Sequence, residues 1–315
     1  MIPTSPLARQ AAAAPVELAG SLPELVTRLL EHTPEVRDPV RQRALTDRLL
    51  VPAVPALEAL MREVRAGLDP ALRAAADGIG GKAYPLGRCR EITQAVQQRL
   101  AGLDPGELSA PARQGWAALR AFRAAGGQSR SAWGDLRGQY FQNALIVGAL
   151  YVDVSNDTVV VSKPPIEILP FEQAGFSPIR DYAHFIGIAG RYWGHRFLRN
   201  HLFPDLAPYR PLIQVGPDGR IRLGPDNGHM LGVTLAAGLD PSAVALAGAP
   251  MPADAFAALA ARVGPMAGMA ATPEAGRAAA LANCAAWGAA VGEAAERPFN
   301  RAMMAIGEIN RRLAR

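Results

Sequence analysis

The stretch from Trp133 to Pro170, WGDLRGQYFQNALIVGALYVDVSNDTVVVSKPPIEILP, constrains the fold more than any other part of the chain. β-Branched and aromatic residues concentrate there, and breaks at Gly148-Ala149 and Ser155-Asn156-Asp157-Thr158 divide it into two or three consecutive strands. Almost everything on either side reads as Ala- and Arg-rich helix. The expected class is therefore α+β. An antiparallel sheet over about residues 140–223 is flanked by an N-terminal helical layer (1–77) and a helical C-terminal subdomain (226–315). Residues 78–225 form the α+β core of this scheme, and a single domain would accommodate all three parts.

Half of the 315 residues are apolar and 19% are charged, which excludes a disordered chain. Of the 33 basic residues only Lys82 and Lys163 are lysine, and the net charge of +5 is spread along the whole length. Without a basic stripe interleaved with aromatics, neither nucleic acid nor membrane is expected as a partner. Cys89 and Cys284 allow at most one disulfide. No secretory signal is read at the N-terminus, and no 18-residue apolar stretch is free of charge or proline. The expectation is a soluble, cytoplasmic, bacterial protein.

Along the chain, residues 1–19 read as a loose arm. Ser21 caps a first helix, and Asp38-Pro39 and Asp69-Pro70 open two more, with Pro52 and Pro55 breaking the segment between. GIGGKA, ending at Ala83, departs from a phosphate-binding loop because Ala76 and Ala83 stand where that loop needs Gly and Ser or Thr. Gly78, Gly80 and Gly81 are read as turn formers. Cys89 then opens a helix whose apolar stripe is Ile92, Val96 and Leu100. There the helix dipole with Arg88 and Arg90 would lower its pKa, making it the candidate nucleophile. A helix over 109–125 leads into the strands.

A cysteine at the head of a buried helix, followed by a short antiparallel sheet, resembles the papain-like and transglutaminase-like cysteine enzymes over residues 78–170. The resemblance implies Cys89 as nucleophile and Asp153, on the second strand, as the acid that orients a base. Where that family places its histidine the chain reads Tyr140-Phe141-Gln142-Asn143-Ala144, with no histidine between Cys89 and Asp153. The base would come from His184, His195, His201 or His229 by a different geometry, or the chemistry has been lost while the fold is kept.

The sequence also carries partial signals for metal chemistry. Asp153, Ser155 and Asp157 begin like a calcium loop, but Thr158 and Pro164 fall where glycine and glutamate are required, so DVSNDT reads as a turn. Residues 177–204 read as one long helix with three histidines and five aromatics, a candidate pocket wall. Asp181 and His184 share a face there, as in a carboxylate–histidine metal pair holding iron or another divalent ion. A hairpin is expected at 212–223, helices at 252–263, 273–292 and 298–313, and Cys284 as a core residue. The last helix carries a stripe that packs inward or on a second subunit.

Three functional readings follow. The first is a hydrolase or acyltransferase using Cys89, Asp153 and His184 or His195, with Gln142, Asn143, Asp157, Tyr182 and Trp193 binding a small-molecule or peptide substrate and no cofactor. The second is a metal-dependent oxidoreductase using Asp181 and His184. The third is a non-catalytic binding protein on a degenerate cysteine-enzyme fold.

Overall fold

The computed structural model describes residues 20–76, 82–225, 227–290 and 292–314. The arm at 1–19 and the glycines at 78, 80 and 81 lie outside these residues. The architecture is α+β, and the chain divides into two compact units, one holding residues 32–178 and the other residues 179–315 with the segment ending at Glu31.

The first unit opens with α2 (Pro39–Leu49), preceded in the chain by α1 (Leu22–Leu29) of the second unit. A short 3-10 turn at Val51–Ala53 absorbs Pro52, and α3 (Val54–Ala76) follows with Pro55 in its first turn. The expectation of a new helix at Asp69-Pro70 is not met, because α3 runs on through Pro70. Proline sacrifices one i−4 bond there. The flanking residue Asp69 is held by Arg65, one turn back on the same helix (Nε–Oδ1 2.5 Å). α4 (Cys89–Ala101) and α5 (Ala110–Ala124) complete the helical layer.

A five-stranded antiparallel sheet packs on these helices. Its strands are β1 (Ser129–Leu136), β2 (Tyr140–Val147), β3 (Leu150–Asp153), β4 (Glu167–Pro170) and β5 (Phe176–Ser177), in the order β4-β3-β2-β1-β5. The register pairs Trp133 with Asn143 and Leu145 with Val152, so Asn143, Leu145, Val147, Val152 and Val154 share the face turned to α3, α4 and α5. Gly148 closes the β2–β3 turn at φ +61°, and a Cβ there would lie 2.2 Å from Thr46 Oγ1. That contact with α2 is polar by design of the sequence: Thr46 Oγ1 accepts the Ala149 N–H at 2.9 Å, and buried Gln42 accepts the Gln128 N–H at 2.8 Å.

In the second unit the long helix expected over 177–204 is shorter. α6 (Tyr182–Trp193) ends at Gly194, whose φ of +66° is a left-handed cap, and the chain turns into β6 (Arg196–Arg199). β6, β7 (Leu212–Val215) and β8 (Ile221–Gly224) form a separate three-stranded sheet, so the strands of 129–224 make two sheets in place of one continuous one. α7 (Gly228–Ala236), α8 (Asp240–Leu246), α9 (Ala253–Val263), α10 (Pro273–Gly288) and α11 (Glu293–Leu313) enclose its core. The α11 stripe of Phe299, Met303, Ile306, Ile309 and Leu313 is buried in that core, as is Cys284. Among the described residues no single helix is long and apolar enough to cross a membrane.

Candidate functional site

The site in the first unit is built on the first residue of α4. Gly87, at φ +73°, turns the chain into the helix, and its N–H donates to Thr158 O at 2.9 Å. The loop before Cys89 is thereby stitched to the turn after β3. Arg65 of α3 sits beneath that turn, 2% exposed, and donates to Val154 O at 2.7 Å and to both carboxylate oxygens of Asp157 at 3.2 Å. Asp69, bonded to the same guanidinium, accepts the Tyr84 hydroxyl at 2.5 Å. Burial works against the Arg65 charge, but its hydrogen bond to Asp69 and the attraction of Asp157 outweigh it and raise its pKa. Asp157, expected to bind substrate, is therefore spent in an ion pair that fixes the loop.

Cys89 is half-buried, and its Sγ accepts a hydrogen bond from Asn143 Nδ2 at 3.4 Å. One turn along α4, Thr93 Oγ1 donates to Asn143 O at 3.0 Å, so the helix start and β2 are joined by both the side chain and the backbone of Asn143. The thiol is not activated as the dipole argument expects. Burial pushes its pKa up, the Asp153 and Glu91 charges add to that, and the Asn143 amide offsets only part. Arg88 does not supply the missing positive field either, because it pairs with Glu91 at 3.4 Å.

Asp153 is fully buried at the end of β3 and collects four donors. These are Gln142 Nε2 (2.7 Å), the Tyr151 hydroxyl (2.9 Å), the Ser155 N–H (2.8 Å) and Ser155 Oγ (3.0 Å). Burial still dominates and raises its pKa. Gln142 also donates to Ser155 O at 3.2 Å, and Ser155 Oγ lies 3.3 Å from Asn143 O. A continuous polar chain thus runs from Asp153 through Ser155 to Asn143 and Cys89. Cys89, Gln142, Asn143 and Asp153 are brought together, and the side chain that reaches Sγ is an amide.

The remaining expected residues belong to the second unit and serve other ends. Asp181 caps α6, its Oδ1 accepting the His184 N–H at 2.7 Å, while the His184 ring accepts the Arg180 N–H at 3.4 Å. The pair meets through backbone, not through two ligand atoms converging on a point. Among the described residues no group of three or more His, Cys, Asp or Glu side chains is placed to hold a metal ion. Tyr182 is buried with its hydroxyl 2.8 Å from Thr234 Oγ1, and burial raises its pKa. His195 lies beyond α6, with Nδ1 bonded to the Gln214 amide, and Trp193 packs against its ring at 5.5 Å.

In the first unit the described histidine is His32, whose Nδ1 is 3.1 Å from Ser131 Oγ and whose carbonyl accepts the Trp133 N–H at 2.8 Å. It lies beside β1, whereas Asn143, the residue bonded to the thiol, is on β2. Two open grooves on the helical layer, of about 470 and 480 Å³, border neither Cys89 nor Asp153. Sequence reading missed Arg65, Asp69 and Tyr84. The four-residue spacing of Arg65 and Asp69 was their only local signal. No protein-family model, curated protein or solved structure matches this chain.

Proposed function

We propose that the first unit is a binding module built on a cysteine-enzyme-like core, in which Asn143 stands where such an enzyme carries its histidine. The observation that carries this reading is the amide of Asn143 on Cys89 Sγ at 3.4 Å. An amide has no proton affinity near neutral pH, so it cannot take the thiol proton, and the buried thiol with its raised pKa stays protonated. What the arrangement offers instead is a half-buried trio: Asn143 and its register neighbour Trp133 on one sheet face, with Cys89 of α4 against Asn143. A second Asn143 N–H and an aromatic edge suit a small molecule or peptide carrying a carbonyl. Asp153, Tyr151, Gln142 and Ser155 keep that face rigid from beneath.

Iodoacetamide labelling of Cys89 from pH 5 to 9, with Cys284 as internal reference, tests the reading. The expected Cys89 midpoint is at or above the free-thiol value of about 8.5. Cys284, pushed up to about 12 by burial, should label more slowly. A Cys89 midpoint well below 8.5 would overturn the binding reading and restore the nucleophile. In the same assay Asn143→His installs a base at the thiol and should move the midpoint below that of the native protein.

A further inference from the structure

The second unit carries a cluster that the first unit's chemistry does not involve. On the three-stranded sheet the register aligns Phe197, Gln214 and Arg222 in one row across β6, β7 and β8, so their side chains share a face. His195 stands two residues before Phe197 on that same side, and the two rings meet at 6.4 Å. Trp193 packs on His195 at 5.5 Å, with Phe185 buried beneath, 6.1 Å from Trp193 and 6.0 Å from Phe197. Trp193, His195 and Phe197 are each half-exposed.

Gln214 gives this cluster its direction. It is 2% exposed, and its Nε2 donates to His195 Nδ1. With Nδ1 accepting from that amide, the neutral imidazole carries its proton on Nε2, a second donor. Arg222 is exposed, and among the described ion pairs none includes it. Its charge acts on His195: burial first, and then Arg222, lower the imidazole pKa, with Asp218 opposing. Asp218 itself pairs with Arg220 at 3.2 Å. A guanidinium, a neutral imidazole N–H and three half-buried rings make this face both cationic and aromatic. Such a face suits an anion that is also flat.

We propose that the face formed by Trp193, His195, Phe197 and Arg222 binds a small aromatic anion, its ring against the Trp193–Phe197 wall and its carboxylate or phosphate on Arg222 and the His195 N–H. The site is independent of the Cys89 reading and would survive its failure. Arg222 supplies the charge, Gln214 holds the imidazole in register, and the rings select a planar ligand over a bare inorganic ion.

The test follows the His195 ring signals of the full chain by NMR at pH 7.5 while 5′-AMP, benzoate and inorganic phosphate are titrated separately. The expected result is saturable movement with one of the two aromatic anions, at least tenfold tighter than with inorganic phosphate. AMP as the tighter ligand would assign the anionic group as a nucleotide phosphate, and benzoate as an aryl carboxylate. Arg222→Gln should weaken that binding tenfold or more while the rest of the spectrum is unchanged. Equal affinity for inorganic phosphate, no saturation with any of the three, or undiminished binding by Arg222→Gln would each overturn the proposal.

Discussion

Arg65 shows what one buried charge does for the first unit. Its guanidinium joins α3 to Val154, Asp157 and Asp69, and through Asp69 to Tyr84, so the loops on both sides of Cys89 depend on it. Removing one partner of a buried ion pair leaves the others uncompensated. Arg65→Met is therefore expected to lower unfolding free energy by about 3 kcal/mol, the lower part of the usual range because Asp69 is partly solvated. Urea denaturation measures this, and a change under 1 kcal/mol would contradict the role given to the residue. Asp153 presents the opposite electrostatic case. Its carboxyl pKa is raised from 3.8 by burial despite four donors, so the folded state holds the proton more tightly than the unfolded chain. Stability is intact below 3.8 and is lost as pH rises from there to the folded value. Asp153→Asn should flatten that slope in denaturation curves taken between pH 3.5 and 7.

At the scale of elements, close approach and backbone geometry decide the substitutions that matter. Gly148 combines φ +61° with a Cβ position 2.2 Å from Thr46 Oγ1 and 2.8 Å from the Phe122 ring. Gly148→Ala is expected to cost about 1–3 kcal/mol through strain and overpacking together. Gly115 lets α5 cross α3, since a Cβ there would lie 2.2 Å from Ala56 O. Pro70 runs the other way. It is exposed inside α3, and Pro70→Ala restores a helix N–H, with a gain of up to about 3 kcal/mol that thermal unfolding would record as a higher Tm. A lower Tm would mean that Pro70 packs in a way its exposure does not reveal.

For the whole molecule, the two units should respond to acid with opposite signs. In the second unit burial lowers the pKa of His195, His201 and His229 from 6.5. His201 is fully buried and neutral, its Nε2 donating to Leu246 O at 3.1 Å and its Nδ1 accepting the Met251 N–H at 3.0 Å. Protonation would set two donors against each other at Nδ1. Because the unfolded chain binds protons first, this stability is intact above 6.5 and drains away as pH falls from 6.5 toward the folded values. Hydrogen exchange, corrected for intrinsic rates, should show opening free energies around His201 falling between pH 7 and 5. Over the same interval those of β2 and β3 around Asp153 should hold or rise. Parallel loss in both units would contradict the assignment of these shifts.

The sequence by itself determined what depends on neighbours a few residues apart. The concentration of β-branched and aromatic residues over 140–153 specifies strands, Gly148 the turn between them, and the apolar stripe from Ile92 the helix that Cys89 heads. Helical periodicity also continued through 194–199, where the aromatic pattern Tyr192, Trp193, Phe197 reads equally as helix or strand and only the left-handed Gly194 settles it. Tertiary structure alone decided which polar groups meet. Asn143 reaches Cys89 across 54 residues and Arg65 reaches Asp157 across 92, and no local spacing encodes either contact. The thiol's state followed from the same source. The dipole and Arg88 are local and point to a lowered pKa, whereas desolvation by the packed sheet and the charge of Asp153 are properties of the fold and reverse the sign.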